Sequence, residues 1–322
     1  MRLRRSDLTK AGYARKRRGT GFSYLGTDGT ALRDAATIAR IKALVIPPAW
    51  TGVWISTDDR GHIQATGQDA AGRKQYIYHP QWRSDRDGKK FDHAVAVAAR
   101  LPDLRKRLCA DLTGRGLSRA RVLAAVVRLL DMGMFRVGSD QYAQREEDPT
   151  YGLSTLRPDH VHTRSGAVTL DFVGKSGKSH ALPVEDEDVC RVLRALRRRR
   201  RESDRLFAYW EPSARRWHEV HADEINAYLR EISGEQMSAK DFRTWHGTVK
   251  AAAELAEAGA QETPTGRKRA VSHAMKEVAE LLGNTPAVAR GAYVDPRVLD
   301  AYERGETADP PTEKAVLNLL TG

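Results

Sequence analysis

The sequence predicts an α+β fold in two parts. Residues 1–88 form a small sheet-rich N-terminal domain, and residues 89–322 a larger, mostly α-helical domain that carries a three-stranded β meander. Three observations lead there. Between residues 21 and 78 short aromatic and β-branched runs (GFSYLG, VWISTD, HIQATG, KQYIYHP) alternate with Gly and Asp-Arg-Gly turns, the rhythm of an antiparallel sheet. Beyond residue 90 the apolar period becomes helical. The chain, at 322 residues, is also longer than the roughly 250–300 residues at which single cores stop growing.

The elements follow in order. Residues 1–20 are rich in Arg and Lys and read as a basic arm lying over the surface. Residues 31–44, ALRDAATIARIKAL, interrupt the strands with a helix. Residues 82–90 are polar and lack periodicity, so the domain junction is placed there. AVAVAARLPDLRKRLCADL is helical. Ser118 then caps RARVLAAVVRLLDM, whose Val122, Ala125, Val126, Leu129 and Leu130 share one apolar face, and Gly133 stops it. DHVHTRSGAVTLDFVGKSGKSHALPV reads as the meander, with turns at residues 164–166 and 175–178. Helices return at residues 186–201, 223–232, 239–258 and 269–282, the third behind a Ser238/Asp241 capping box. Residues 259–269 read as a flexible connection. Gly283 ends the last of these helices, and Asn284 or Thr285 starts another at Pro286. Tyr293 falls near its end, before Pro296 blocks continuation.

Composition narrows the class of partner. A net charge of +12 and a pI near 9.8 favour a polyanion, nucleic acid first. No apolar stretch reaches the roughly 20 residues that span a bilayer, and the basic N-terminus lacks the apolar core of a secretory signal. Cys109 and Cys190 lie far apart, which fits a reducing cytosol and offers neither a disulfide framework nor a CxxC metal site.

Several segments invite a functional reading. Residues 174–179, GKSGKS, look like a phosphate loop, but the position that should hold its first glycine is Phe172, and a strand follows where a helix is needed. A basic hairpin tip describes them better. His160 and His162 alternate on a strand without a third ligand at sensible spacing, so no metal site is expected. The arginines at 197–201 read first as a solvated helix end favoured by the macrodipole, and second as phosphate contacts. In GRKQYIYHP, alternation puts Gln75 and Ile77 on one face and Tyr76 and Tyr78 on the other. The two tyrosines fit a core or a nucleic-acid surface equally well. Tyr293 alone reads as a core aromatic. Set beside an arginine in FRVGSDQY, a lysine on the hairpin tip and an arginine early in SAKDFRTWHG, it completes the parts of a metal-free phosphoryl transfer. Two guanidiniums clamp phosphate oxygens, an ammonium protonates a leaving oxygen, and a phenol attacks.

FRVGSDQYA, FVGKSGKSH, KDFRTWHG and LGNTPAVARGAY, in this order and at these spacings, resemble the bacterial, poxvirus-type type IB DNA topoisomerases over almost the whole chain. The resemblance implies a clamp closing on duplex DNA, with Arg136 and Arg243 as transition-state arginines, Lys175 as general acid and Tyr293 as nucleophile. It implies DNA contacts for Tyr142 and Lys240 near the scissile phosphate, and for Gln75, Tyr76 and Tyr78 in the major groove. Where the family usually has His in GHTP this chain has Asn284, an amide able to hydrogen-bond to a phosphate oxygen but not to ionise. The implied activity is ATP-independent and metal-free, with no cofactor: relaxation through a 3′-phosphotyrosyl intermediate by a cytoplasmic, nucleoid-associated monomer. The alternatives are a tyrosine recombinase, which Asn284 and the hairpin disfavour, and a non-catalytic DNA clamp.

Overall fold

The computed structural model describes residues 2–133, 135–199, 204–234 and 236–322. The chain divides into two compact units, Met1–Lys90 and Phe91–Gly322.

The first unit is built on one antiparallel sheet. Its strands are β1 (Tyr13–Arg18), β2 (Gly21–Leu25), β3 (Thr51–Ile55), β4 (Ile63–Gln68) and β5 (Lys74–Tyr78), in the order β2-β1-β3-β4-β5. Helix α1 (Ala35–Ala43), capped by the Asp34 carboxylate, packs Ile41 against Val53, Ile55 and Ala65 to form a small core. The expected basic arm is the main correction here. Residues 13–18 are a strand between β2 and β3, paired with β2 from Ala14 to Arg18 and with β3 at Tyr13 and Ala14. Arg15 explains how a cation-rich segment is accommodated, because its guanidinium donates to the carbonyls of Ile46, Pro47 and Trp50 and lies 4.2 Å from the Phe22 ring. Those carbonyls belong to a proline-rich turn that has no ladder of its own to satisfy them.

The polar stretch at 82–90, where the sequence places the junction, ends at the division between the units. It is helical, part of α2 (Pro80–Leu112), which continues through the division between the units. Its absence of periodicity reflects a helix turn with little to bury, since the buried positions begin at Phe91.

In the second unit α3 (Arg119–Asp131) starts at the Ser118 cap and packs Val122, Val126, Leu129 and Leu130 into the core. A short helix α4 (Asp140–Ala143) follows. The meander is β6 (Val161–Arg164), β7 (Ala167–Val173) and β8 (Ser179–Val184), paired in sequence order. Then come α5 (Glu187–Arg198), a hairpin of β9 (Ala208–Glu211) and β10 (Arg216–Glu219) that the sequence did not reveal, α6 (Ala222–Ser233) and α7 (Ala239–Ala258). The next helix, α8 (Pro264–Leu282), begins five residues earlier than expected, because Thr263 caps it with Pro264 at its first position. It therefore takes in most of the supposed connection. Helices α9 (Pro286–Ala292), α10 (Pro296–Glu303) and α11 (Glu313–Thr321) complete the unit. Of the arginine run, Arg200 and Arg201 lie outside the described residues, while Arg197 donates to the Thr163 hydroxyl. His160 precedes β6 rather than lying on it, and its ring packs edge-on against Tyr151 at 4.5 Å.

Deleting residues 1–18 should strip the sheet of an interior strand. Hydrogen exchange should then show lost amide protection in β2 and β3 while the α3 and α7 amides keep theirs. Unchanged protection at 21–25 and 51–55 would show that β1 is dispensable.

Candidate active site

The C-terminal end of α8 is where the site begins. Gly283 adopts φ +60, a left-handed conformation open to glycine at little steric cost, and turns the chain so sharply that Gly283 N and Asn284 N reach back to the carbonyls of Glu280 and Ala279. The carbonyls of Leu282 and Gly283 are left facing outward at the negative end of the helix dipole. Two arginines from distant parts of the chain take them. Arg136, in the extended segment between α3 and α4, donates through Nη2 to Leu282 O at 3.0 Å, Gly283 O at 3.2 Å and Asn284 Oδ1 at 2.8 Å. Arg243, in the second turn of α7 and only 4% exposed, donates through Nη2 to Leu282 O at 2.7 Å.

What remains unpaired defines the chemistry. Arg243 Nε and Nη1 and Asn284 Nδ2 are buried and have no hydrogen-bond partner among the described residues. Leaving a buried donor unpaired costs about 1–3 kcal/mol each, and three of them gather around this one helix end. The Asn284 amide is divided between two tasks. Its oxygen receives Arg136, and its nitrogen is free to donate. Thr285, not Asn284, caps α9, with its hydroxyl accepting from Val288 N.

Tyr293 is the C-cap of α9, half-buried, with the Arg243 guanidinium carbon 5.1 Å from its ring centroid. Burial pushes the phenol pKa up, but the charge and close hydrogen-bonding approach of Arg243, with the charges of Arg136 and Lys240, outweigh it, and the net shift is downward. Burial and the charge of Arg136 together lower Arg243 to about 10, which still leaves it protonated at neutral pH. Lys240 is exposed in the first turn of α7.

Lys175 stands on the tight turn joining β7 to β8. Ser176 (φ 66, ψ 25) and Gly177 (φ 73) are both left-handed, the geometry that matches the twist of a two-stranded hairpin. The lysine is exposed and lines a small recess with Arg136, His180, Leu282 and Gly283. His180 lay inside FVGKSGKSH without an assigned task. Its ring stacks on Phe172 at 5.3 Å and fills the space beside Gly174, where a Cβ would meet it at 2.6 Å. Tyr142 sits in α4 with the Arg145 guanidinium 4.6 Å over its ring. In the first unit Ile77 packs against the core, whereas Tyr76 and Tyr78 stack on each other at 6.0 Å on the opposite face. The core reading of the two tyrosines is thereby set aside. Gln75 donates to Asp69.

Comparison with known proteins adds an independent line. Residues 79–307 match the family model described as the catalytic core of eukaryotic DNA topoisomerase I, and residues 21–69 match that of the N-terminal domain of bacterial DNA topoisomerase IB. The chain is 31% identical over 301 residues to DNA topoisomerase 1B of Acanthamoeba polyphaga mimivirus, covering 91% of this chain and 88% of that protein. It is 22% identical over 235 residues to DNA topoisomerase 1B of vaccinia virus (strain Copenhagen), covering 73% and 70%.

The orphan amide nitrogen makes a stability prediction. Asn284→Asp replaces the unpaired donor with an acceptor beside two guanidiniums, so thermal unfolding at neutral pH should show a gain of about 1 kcal/mol or more. Thr285→Ala, which removes the true cap, should lose about 1 kcal/mol. A destabilised Asp variant would mean that the nitrogen already has a partner.

Proposed function

The chain belongs to the type IB DNA topoisomerase family, and on that premise we propose that Tyr293 is its nucleophile, Arg136, Arg243 and Asn284 its phosphate-binding donors, and Lys175 its general acid. The observation that carries the assignment is the set of unpaired donors, Arg243 Nε and Nη1 and Asn284 Nδ2, held beside a tyrosine whose ionised form the site favours. A scissile phosphate supplies the acceptors they lack.

The chemistry follows from those groups. Tyr293 Oη, having lost its proton, attacks a backbone phosphorus and forms a P–O bond. The bond from phosphorus to the 5′ oxygen breaks, and Lys175 protonates that oxygen as it leaves. The product is a 3′-phosphotyrosyl enzyme and a free 5′-hydroxyl. In the transition state the charge on the non-bridging oxygens rises, and the arginines and the amide meet it without reorganising, because α7 and the end of α8 already hold them. Asn284 acts here as a neutral donor oriented by Arg136. The covalent linkage conserves the phosphodiester free energy, so strand rotation and religation by the reverse path require no ATP. Two guanidiniums and an ammonium provide the charge stabilisation that a metal supplies elsewhere.

Duplex DNA is the substrate in this reading. Tyr76 and Tyr78, on the face of β5 turned from the core, and Gln75 are assigned to the major groove, and Tyr142 and Lys240 to phosphates near the cut. Residues 1–88 then serve as the DNA-binding domain and 89–322 as the catalytic one. A single chain contributes every group assigned here, which supports action as a monomer, and a DNA substrate supports action at the nucleoid in the cytoplasm. The match of residues 21–69 to a bacterial topoisomerase IB N-terminal domain counts against a recombinase, and the orphan donors count against a non-catalytic clamp.

The purified protein should relax both negative and positive supercoils in EDTA without ATP. Tyr293→Phe should form no covalent adduct yet bind duplex nearly as well, and a trapped strand should be joined through its 3′ phosphate. Strict dependence on Mg²⁺ or ATP, or a 5′ linkage, would refute the reading.

Lys175→Ala should cleave an ordinary phosphodiester slowly and a 5′-bridging phosphorothiolate at near the wild-type rate, because a leaving sulfur needs no proton. Equal slowness on both substrates would remove Lys175 from the acid role and make Lys240 the next candidate.

A further inference from the structure

Tyr293 has left the helical conformation (φ −133, ψ −10), so α9 does not by itself fix where its Cα points the ring. Helix α7 presses on that residue from one side. A Cβ built on Gly247 would lie 2.8 Å from Tyr293 O and 3.1 Å from Tyr293 Cβ. Gly247 lies inside a regular helix and not at a left-handed φ, so the space requires glycine there, not the backbone conformation. The two nearest atoms belong to Tyr293 itself and cannot move aside without moving the residue, while the third, Leu282 Cδ1 at 3.2 Å, ends a side chain that can turn away.

The next residue holds the same turn by hydrogen bonds. Thr248 is 2% exposed, and its Oγ1 lies 2.9 Å from Thr244 O and 3.3 Å from Tyr293 O, two acceptors that share its one proton. A lone pair of the same oxygen receives Asp295 N at 3.1 Å. One buried hydroxyl therefore joins α7 to the backbone on both sides of Val294. Beyond it the Asp295 carboxylate caps α10 by accepting from Arg297 N, and pairs with the Arg297 guanidinium at 2.7 Å. Arg243 and Gly247 are four residues apart, on one face of α7. The element that aims a guanidinium at the site thus also sets the distance to the tyrosine.

We infer that Gly247 and Thr248 are positioning residues that place the Tyr293 oxygen for attack, Gly247 by close approach and Thr248 by its bridge to Tyr293 O and Asp295 N. This rests on Tyr293 being the nucleophile. Neither residue touches the reacting atoms. Misplacing a reacting group by about 1 Å costs about 10²-fold in rate, so the loss should appear in the chemical step and not in binding.

The test is single-turnover cleavage of a suicide duplex, with duplex affinity and thermal unfolding measured on the same preparations. Thr248→Val, similar in size to threonine, and Gly247→Ala should each cleave about 10²-fold more slowly with duplex affinity nearly unchanged. Thr248→Ser keeps the hydroxyl and should recover most of the rate. A 5′-bridging phosphorothiolate should rescue neither slow variant, since the fault lies on the nucleophile's side, although it rescues Lys175→Ala. A full-rate Thr248→Val or Gly247→Ala, a Ser variant as slow as Val, or rescue by the phosphorothiolate would overturn the inference. If Thr248→Val fails to fold, the Ser and Ala variants decide by the same criteria. Tyr293→Phe in the same assay separates the two levels. An adduct formed by the Phe variant refutes the nucleophile assignment, whereas an inert Phe variant beside a full-rate Val variant refutes only the positioning.

Discussion

The attraction between two arginines and the end of α8 is the constraint on which the site depends. A helix leaves its last carbonyls unpaired, and the left-handed turn at Gly283 directs those of Leu282 and Gly283 outward. Arg136 and Arg243 carry like charges and would separate in the absence of an anion. The shared carbonyl of Leu282 and the dipole of α8 hold them together instead. Because both spend Nη2 on these acceptors, Arg243 retains free N–H groups directed elsewhere. In the proposed reading these are the donors that meet the phosphate, and the protein itself holds them in place.

The position of Arg243 depends in turn on how α7 is held. Trp245 and His246, two and three residues on, enter a buried charge cluster. Asp131, with its side chain 1% exposed, accepts from Arg105 and Arg128 at 2.8 Å, and its Oδ1 lies 3.5 Å from His246 Nε2. Glu313 at the start of α11 accepts from Arg105 and from Trp245 Nε1. Burial acts to raise both carboxyls, and their cationic partners overcome it, so both stay ionised. Such a cluster is weak evidence for net stability, because desolvation offsets much of the attraction. Its directional bonds do specify how α2, α3, α7 and α11 meet, and an apolar contact of equal area has no such directionality.

Helix caps and turns were the most legible parts of the chain. Ser118, the Ser238/Asp241 pair, Gly133 and Gly283 lie where their local chemistry requires, because a cap or a left-handed turn is satisfied within four or five residues. The hairpin carrying Lys175 was legible for the same reason. The errors share a cause too. Strand β1 was hidden by its arginines, and its pairing with β2 and β3 and the acceptors for Arg15 lie across the sheet or in a turn some thirty residues away. Residues 82–90 showed no periodicity because the helix there has little to cover. The β9–β10 hairpin consists of two four-residue strands, too short to establish an alternation.

By itself, then, the sequence determined the fold class and the order of the segments, and it singled out the groups proposed for the reaction, since each of these is written in local period, composition or motif. The tertiary structure alone decided how those groups are paired. That Asn284 turns its oxygen to Arg136 and leaves its nitrogen free, and that Thr285 takes the cap, depends on where a residue 148 positions away places its guanidinium. That Gly247 must be glycine depends on the approach of Tyr293. Close approaches and shared acceptors between distant segments have no period and no local composition, so they exist only once the chain has closed on itself.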